Sequence, residues 1–160
     1  MHIFKDFYRN EVKLSFDDHP FSKYPKHVWV ICKYKNKWLL TRHKDRGLEF
    51  PGGKVEDNEH PSDAAIREVW EETGGVTESI HYIGQYIVAG KGGTIVKNVY
   101  TASIKELLPQ KTYYETHGPI LLDALPADVK QRKSYSFIMK DDVLTHCLDY
   151  ISTHARNRNG

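Results

Sequence analysis

Apolar residues recur in this chain with two periods, and the changes between them divide it into elements. Residues 3–8 and 11–16 alternate imperfectly and predict a hairpin turning at Arg9-Asn10. Residues 17–26 carry Pro20 and Pro25 and read as a loop. Two apolar runs follow, 27–34 and 37–42, joined at Lys35-Asn36, and both predict buried strands. After a turn at Asp45-Arg46-Gly47, residues 48–50 extend into Pro51-Gly52-Gly53. Residues 78–89 and 94–104 are long β-rich runs, with Gly90-Lys91-Gly92-Gly93 between them as a hairpin turn. Residues 113–116 and 119–122 are short extended pieces, and 123–133 form a loop around Pro126. Val143, Leu144, Cys147, Leu148 and Ile151 then repeat with a helical period over 141–154, ahead of a polar tail at 155–160 expected to fray.

A helix is expected from Pro61 to Thr73. His60 can cap it, proline suits its first position, and Gly74-Gly75 stops it, because glycine tolerates the left-handed conformation that closes helices. Glu68, Glu71 and Glu72 stand at i, i+3 and i+4, within roughly a 100° arc of one face. Ile66, Trp70 and Thr73, flanked by Val69, are expected to form the buried side. Each like-charged pair at this spacing costs a helix about 0.2–0.5 kcal/mol. A hard divalent cation held between the carboxylates would explain the cluster, and a solvated acidic face would also produce it.

Composition narrows the class. The 160 residues suit a single domain spanning 1–160, and 39% hydrophobic content with 12% aromatics is enough for one core. A net charge of +2 argues against a dedicated nucleic-acid coat, which would show a concentrated basic stripe. Cys32 and Cys147 lie far apart in apolar surroundings and read as reduced core residues. With no long apolar run and no apolar block near Met1, the expected location is the cytoplasm. Neither the Gly-rich turn at 90–93 nor Gly53-Lys54 makes a P-loop: the first opens no helix, and Val55 stands where the second needs Ser or Thr.

The acidic helix sits in a longer frame. Gly53, five residues, Glu59, seven residues, Arg67-Glu68-Val69, one residue, Glu71-Glu72, one residue and Gly74 keep fixed intervals. The frame resembles the signature of the Nudix hydrolases, departing only at its last position, where Gly75 replaces a bulky aliphatic residue. Leu48-Glu49-Phe50-Pro51-Gly52-Gly53-Lys54 ahead of it is similar to the MutT branch, the nucleoside triphosphate pyrophosphohydrolases. The resemblance implies an α+β fold, an α/β/α sandwich with a mixed sheet between helices and a loop–helix–loop catalytic motif.

It also implies a chemistry. Mg²⁺, for which Mn²⁺ can substitute, would be held by Glu68, Glu71, Glu72 and the Gly52 carbonyl, with Glu72 the steadiest ligand. Glu59 and Arg67 would brace the loop against the helix. The proton acceptor is left open between Glu68 and Glu115, with His117 a weaker choice. Arg42 and Lys54 are candidates for phosphate and Phe50 for stacking on the base, while other base contacts fall within 134–137. The implied reaction releases a nucleoside monophosphate and pyrophosphate, with 8-oxo-dGTP the favoured substrate. A 5′-triphosphorylated RNA end is the rival substrate, with Lys33, Lys35 and Lys37 as a possible groove. A catalytically inactive ligand-binding module is the rival of another class. No membrane partner is expected, and the oligomeric state is left open.

Overall fold

The computed structural model describes residues 1–159, with side chains through His154; Gly160, the end of the expected tail, lies outside the described residues. Strands β1 (His2–Lys5) and β2 (Glu11–Ser15) form the N-terminal hairpin. Asp6 shapes its turn by accepting the backbone N–H groups of Tyr8 and Asn10. Strands β3 (His27–Tyr34) and β4 (Lys37–His43) pair antiparallel across Lys35-Asn36, both at positive φ, the turn whose twist matches paired strands. Short strands β5 (Gly47–Glu49) and β6 (Gly52–Lys54) lead into helix α1 (Pro61–Thr73). Then come β7 (Gly75–Gly90), β8 (Gly93–Leu107), β9 (Thr116–Leu122) and helix α2 (Asp142–Asn159).

The sheet runs β1-β2-β7-β8-β3-β4-β5, with β6 beside β3 and β9 beside β4. Every pairing between these strands is antiparallel except β3 with β8, so the sheet is mixed. Alternation along β3 divides the core. Val28, Val30 and Cys32 pack toward Ala64, Ala65 and Val69 of α1. Trp29 and Ile31 join Phe50, Met139, Val143, Leu144 and Cys147 on the α2 side. The helices thus cover opposite faces of the sheet.

Four expectations change. Ile66 and Trp70 of α1 do not form its buried side: they are 38% and 39% exposed, and Ala64, Ala65, Val69, Glu72 and Thr73 face inward instead. Alanines let the helix backbone approach the sheet closely, and this roll carries Glu72 down with it. The two pieces around 113–122 are one strand preceded by a turn in which Tyr114 has positive φ. A short 3-10 turn at Val129–Gln131 interrupts the loop expected over 123–133, and a second, capped by the Ser136 hydroxyl, follows at Phe137–Met139. Helix α2 continues past His154 through the expected tail to Asn159.

Just ahead of α2, Asp141 accepts the Val143 N–H at 2.9 Å. Burial pushes its carboxyl up from 3.8 to about 6, with the charge of Asp6 adding and that of Lys97 opposing. A raised carboxyl contributes stability that is complete below its unfolded value and lost as pH rises through its folded one. Asp141→Asn keeps the acceptor for Val143 and loses the ionisation. The variant is expected to match the parent near pH 4 and exceed it in stability near pH 7, read by denaturant unfolding. A parent whose stability does not fall across that window would contradict this.

Candidate active site

Glu68, Glu71, Glu72, Gly52, Gly53, Lys54 and Glu115 line one cleft of about 540 Å³, together with His27, Trp29, Arg46, Glu49, Lys97, Phe137 and Ile138. Helix α1 supplies the acidic wall, and its ends are fixed locally. His60 Nδ1 accepts the Ser62 N–H at the start, and at the end the Gly74 N–H donates to Trp70 O with φ of 74°. The Glu72 carbonyl, which finds no partner within the helix end, accepts from the hydroxyls of Thr41 at 3.0 Å and Thr116 at 3.1 Å. These threonines tie α1 to β4 and β9 directly behind the carboxylates.

Arg67 organises the other end of the cluster. Its Nε and Nη2 grip both oxygens of Glu59 at 2.9 and 3.0 Å. Nη1 donates to Glu68 at 2.9 Å and Glu71 at 3.2 Å, and Nη2 also reaches Lys54 O at 2.9 Å. Glu59 in turn accepts the Glu56 N–H at 3.0 Å, which completes the brace of loop against helix. The Arg67 hydrogen bonds hold the Glu59 carboxyl below its ordinary value. Gly53 lies so close that a Cβ there would stand 2.5 Å from Glu68 Oε1, so only glycine lets the carboxylate settle against the loop.

Glu72 is the unusual member. It is only 8% exposed, and its Oε2 is buried without a hydrogen-bond partner. Burial first, then the neighbouring Glu68 and the charge of Glu49, push its carboxyl up to about 10. Burial also raises Glu68, with Arg67 opposing. Among the described residues no three His, Cys, Asp or Glu side chains are already drawn into a cation shell. Arg67 accounts for this, since it engages the oxygens that Glu68 and Glu71 would turn toward an ion. The donor set still fits a hard divalent cation: it is all carboxylate oxygen, and one oxygen is buried and unpaired.

The remaining candidates separate. Glu115 stands on the rim with its side chain 86% exposed, 3.9 Å from His43 Nε2, and its carbonyl accepts the Lys44 N–H. Phe50 cannot stack on a base: it is fully buried, edge-on to Trp29 and Trp38. Arg42 lies outside the cleft, because alternation along β4 turns it away from Thr41, whose hydroxyl faces α1. Arg46 is the arginine that lines the cleft, with Nε and Nη2 on the two oxygens of the buried Glu49 at 2.9 and 3.0 Å. Lys33 lies six residues along β3 from His27, about 20 Å away at strand spacing, and Lys33, Lys35 and Lys37 make no groove at the cleft.

Sequence reasoning missed Arg46, Glu49, His27, Trp29 and Lys97. Lys97 carried a usable signal, being a charge inside an apolar strand, and burial lowers its pKa against the pull of Glu49. Burial with nearby Lys97 and Lys54 also lowers that of His27.

The NUDIX domain model matches residues 23–117, which contain this whole acidic frame. The chain belongs to the Nudix family. It is 58% identical over 144 residues, 90% of this chain and 91% of the relative, to YtkD of Bacillus subtilis (strain 168), a protein provisionally named an 8-oxo-dGTP diphosphatase. It matches the crystal structure of the Bacillus subtilis pyrophosphohydrolase BsRppH, an E68A mutant, with a TM-score of 0.95 at 55% identity, covering 96% of this chain and 98% of that one. A Nudix hydrolase from Nitrosomonas europaea shares the fold at a TM-score of 0.64 and 19% identity, covering 82% of this chain and 90% of that one. Nudix hydrolases act on nucleotide substrates and generally use a divalent metal such as Mg²⁺. Among the described residues no helix is long and apolar enough to cross a membrane.

Proposed function

We propose that this Nudix hydrolase cuts a nucleoside triphosphate to the monophosphate and pyrophosphate in a Mg²⁺-dependent reaction, Mn²⁺ substituting, with 8-oxo-dGTP the favoured substrate. The observation that carries the reading is the buried, unpaired Glu72 oxygen beside Glu68 on the wall of a cleft that also holds Arg46, Lys54 and Lys97. Glu72, Glu68, Glu71 and the Gly52 carbonyl are the residues that would hold Mg²⁺, which when bound neutralises phosphate charge and acidifies water. Arg67 and Glu59 set the angle at which the carboxylates enter the cleft. Lys54 and Arg46 supply positive charge for the phosphates. Water attacks a phosphorus, a P–O bond forms and the bond to pyrophosphate breaks. The proton lost by the water goes to Glu115 on the rim or to Glu68 on the helix.

The same chemistry suits a 5′-triphosphorylated RNA, and one observation favours it as a second reading. The rim is open at Glu115 and Ile95, the latter 41% exposed, so the cleft does not enclose a lone nucleotide. The similarity to the pyrophosphohydrolase BsRppH is compatible with either substrate. The test is product analysis on 8-oxo-dGTP, the ordinary nucleotides and triphosphorylated RNA, with Mg²⁺ and with EDTA and no added pyrophosphatase. Pyrophosphate in step with monophosphate, and none in EDTA, is expected. Orthophosphate matching substrate consumed would overturn the cut site, and a cleft that binds nucleotide without turnover would return the inactive module.

A further inference from the structure

His43 stands between two parts of the site, the rim glutamate and the turn that carries Arg46. It follows Thr41 by two residues on β4, so both side chains leave the strand on the face where the Thr41 hydroxyl meets the Glu72 carbonyl. Across the strand pair its partner is Thr116, the residue after Glu115. The ring is buried, and Nδ1 accepts the backbone N–H groups of Asp45 at 3.1 Å and Arg46 at 3.2 Å. Those two bonds keep a lone pair on Nδ1, which assigns the ring hydrogen to Nε2. Nε2 faces Glu115 Oε2 at 3.9 Å, and among the described residues Glu115 has no other ion-pair partner. The backbone here is already pinned: the Lys44 N–H donates to Glu115 O at 3.1 Å, and the Thr116 hydroxyl to Glu72 O at 3.1 Å. Only the Glu115 side chain is left free to turn, and bringing it to a reacting water costs rotamer freedom. Arg46 is held above its ordinary pKa first by its bonds to Glu49, against burial, and then by the charges of Glu49, Glu72 and Glu115. Glu72 and Glu115 therefore lie around the same guanidinium.

We propose that His43 is a positioning residue of the hydrolysis: its Nε2–H holds one oxygen of Glu115 so that the other meets the attacking water, while its Nδ1 fixes the turn that presents Arg46. The proposal rests on the reading that Glu115, rather than Glu68, takes the proton from that water. The separation of 3.9 Å is longer than a hydrogen bond. Catalytic hydrogen bonds are often long before substrate arrives and tighten in the complex, and a turn of the exposed Glu115 side chain closes this one. The proton then goes to the outer oxygen, and the bond from His43 to the inner one is kept.

Two substitutions divide the ring. Asparagine puts an acceptor where Nδ1 stood and nothing at Nε2, whereas glutamine reaches the Nε2 position with an N–H and leaves Nδ1 empty. Steady-state rates at saturating Mg²⁺, with Tm measured on the same samples, read the difference. His43→Asn is expected to lower kcat about tenfold, the effect of losing one hydrogen bond to a charged group, with KM and Tm close to the parent's. His43→Gln should bring kcat back to within about threefold of the parent and instead raise KM and lower Tm, because the turn carrying Arg46 has lost its acceptor. In a Glu115→Gln background, His43→Asn should cost nothing further. A histidine that only supports the fold would lower both backgrounds alike, and such additivity overturns the proposal. Should His43→Asn also lower Tm, His43→Gln carries the test, and a kcat no better than that of His43→Asn overturns it. A deficient Glu115→Gln beside a His43→Asn of parental kcat removes this proposal alone. Parental kcat in Glu115→Gln removes the reading of Glu115 as proton acceptor, and this proposal with it.

Discussion

Glu72→Gln is expected to abolish turnover and leave the metal-free protein at least as stable as the parent. The two halves have one cause. Glu72 is buried with an unpaired oxygen, and its carboxyl is raised to about 10, so at neutral pH the folded, metal-free protein holds it protonated. Glutamine has the shape of that protonated form and cannot ionise. The group contributes stability that is complete below its ordinary value of 4.5 and lost as pH rises toward about 10. The parent should therefore weaken across that window, and the variant should lose most of that slope. The side chain that makes Glu72 a strained neutral acid when alone is the one best placed to give a cation a buried anionic oxygen. Outer partners of metal ligands typically matter by about 10–100-fold, so losing a ligand should cost at least about 100-fold in rate. Initial rates at saturating Mg²⁺, paired with denaturant unfolding across pH, check both halves. Near-parental activity would remove Glu72 from the ligand set, and a lower stability at neutral pH would remove the account of its burial.

The second large effect separates Glu68 from Glu115, and the structure sharpens it. Glu68 is fixed by Arg67 and lies against Gly53 on the acidic wall, whereas Glu115 is solvated on the rim. Glu68→Gln is expected to lower kcat and also raise the Mg²⁺ concentration needed for half-maximal rate. Glu115→Gln is expected to lower kcat and kcat/KM together, by about 10²–10⁴-fold, with little change in Mg²⁺ dependence, as for a group that only removes a proton in the transition state. A Mg²⁺ titration of initial rate for each variant makes the comparison. If Glu115→Gln retains most of the parental kcat, the rim glutamate is a bystander and the proton must go to Glu68.

Much of the site was legible in the sequence because its parts are local. The His60 cap, Pro61 and the left-handed Gly74 fix the register of α1, and that register alone puts Glu68, Glu71 and Glu72 on one arc. The interval from Glu59 to Arg67 likewise set up a bidentate ion pair that needs only the loop to fold back. The strands beside it were legible because apolar runs ended at turns whose residues accept positive φ, as Lys35-Asn36 do.

What only the tertiary structure decided is how those elements are turned. Periodicity says that a helix has an apolar side, but the sheet chose Ala64, Ala65 and Val69 over Ile66 and Trp70, because small residues allow a closer approach. That roll buried Glu72 and made one carboxylate unlike its neighbours. Burial also separated residues of the same chemical type: Phe50 went to the core and Phe137 to the cleft wall, and Arg42 faced away while Arg46 closed on Glu49. His27, Trp29 and Lys97 meet because β3 and β8 pair in parallel across some seventy residues of chain. Local sequence sets what each element presents. The long-range register of the sheet sets what those presented groups face.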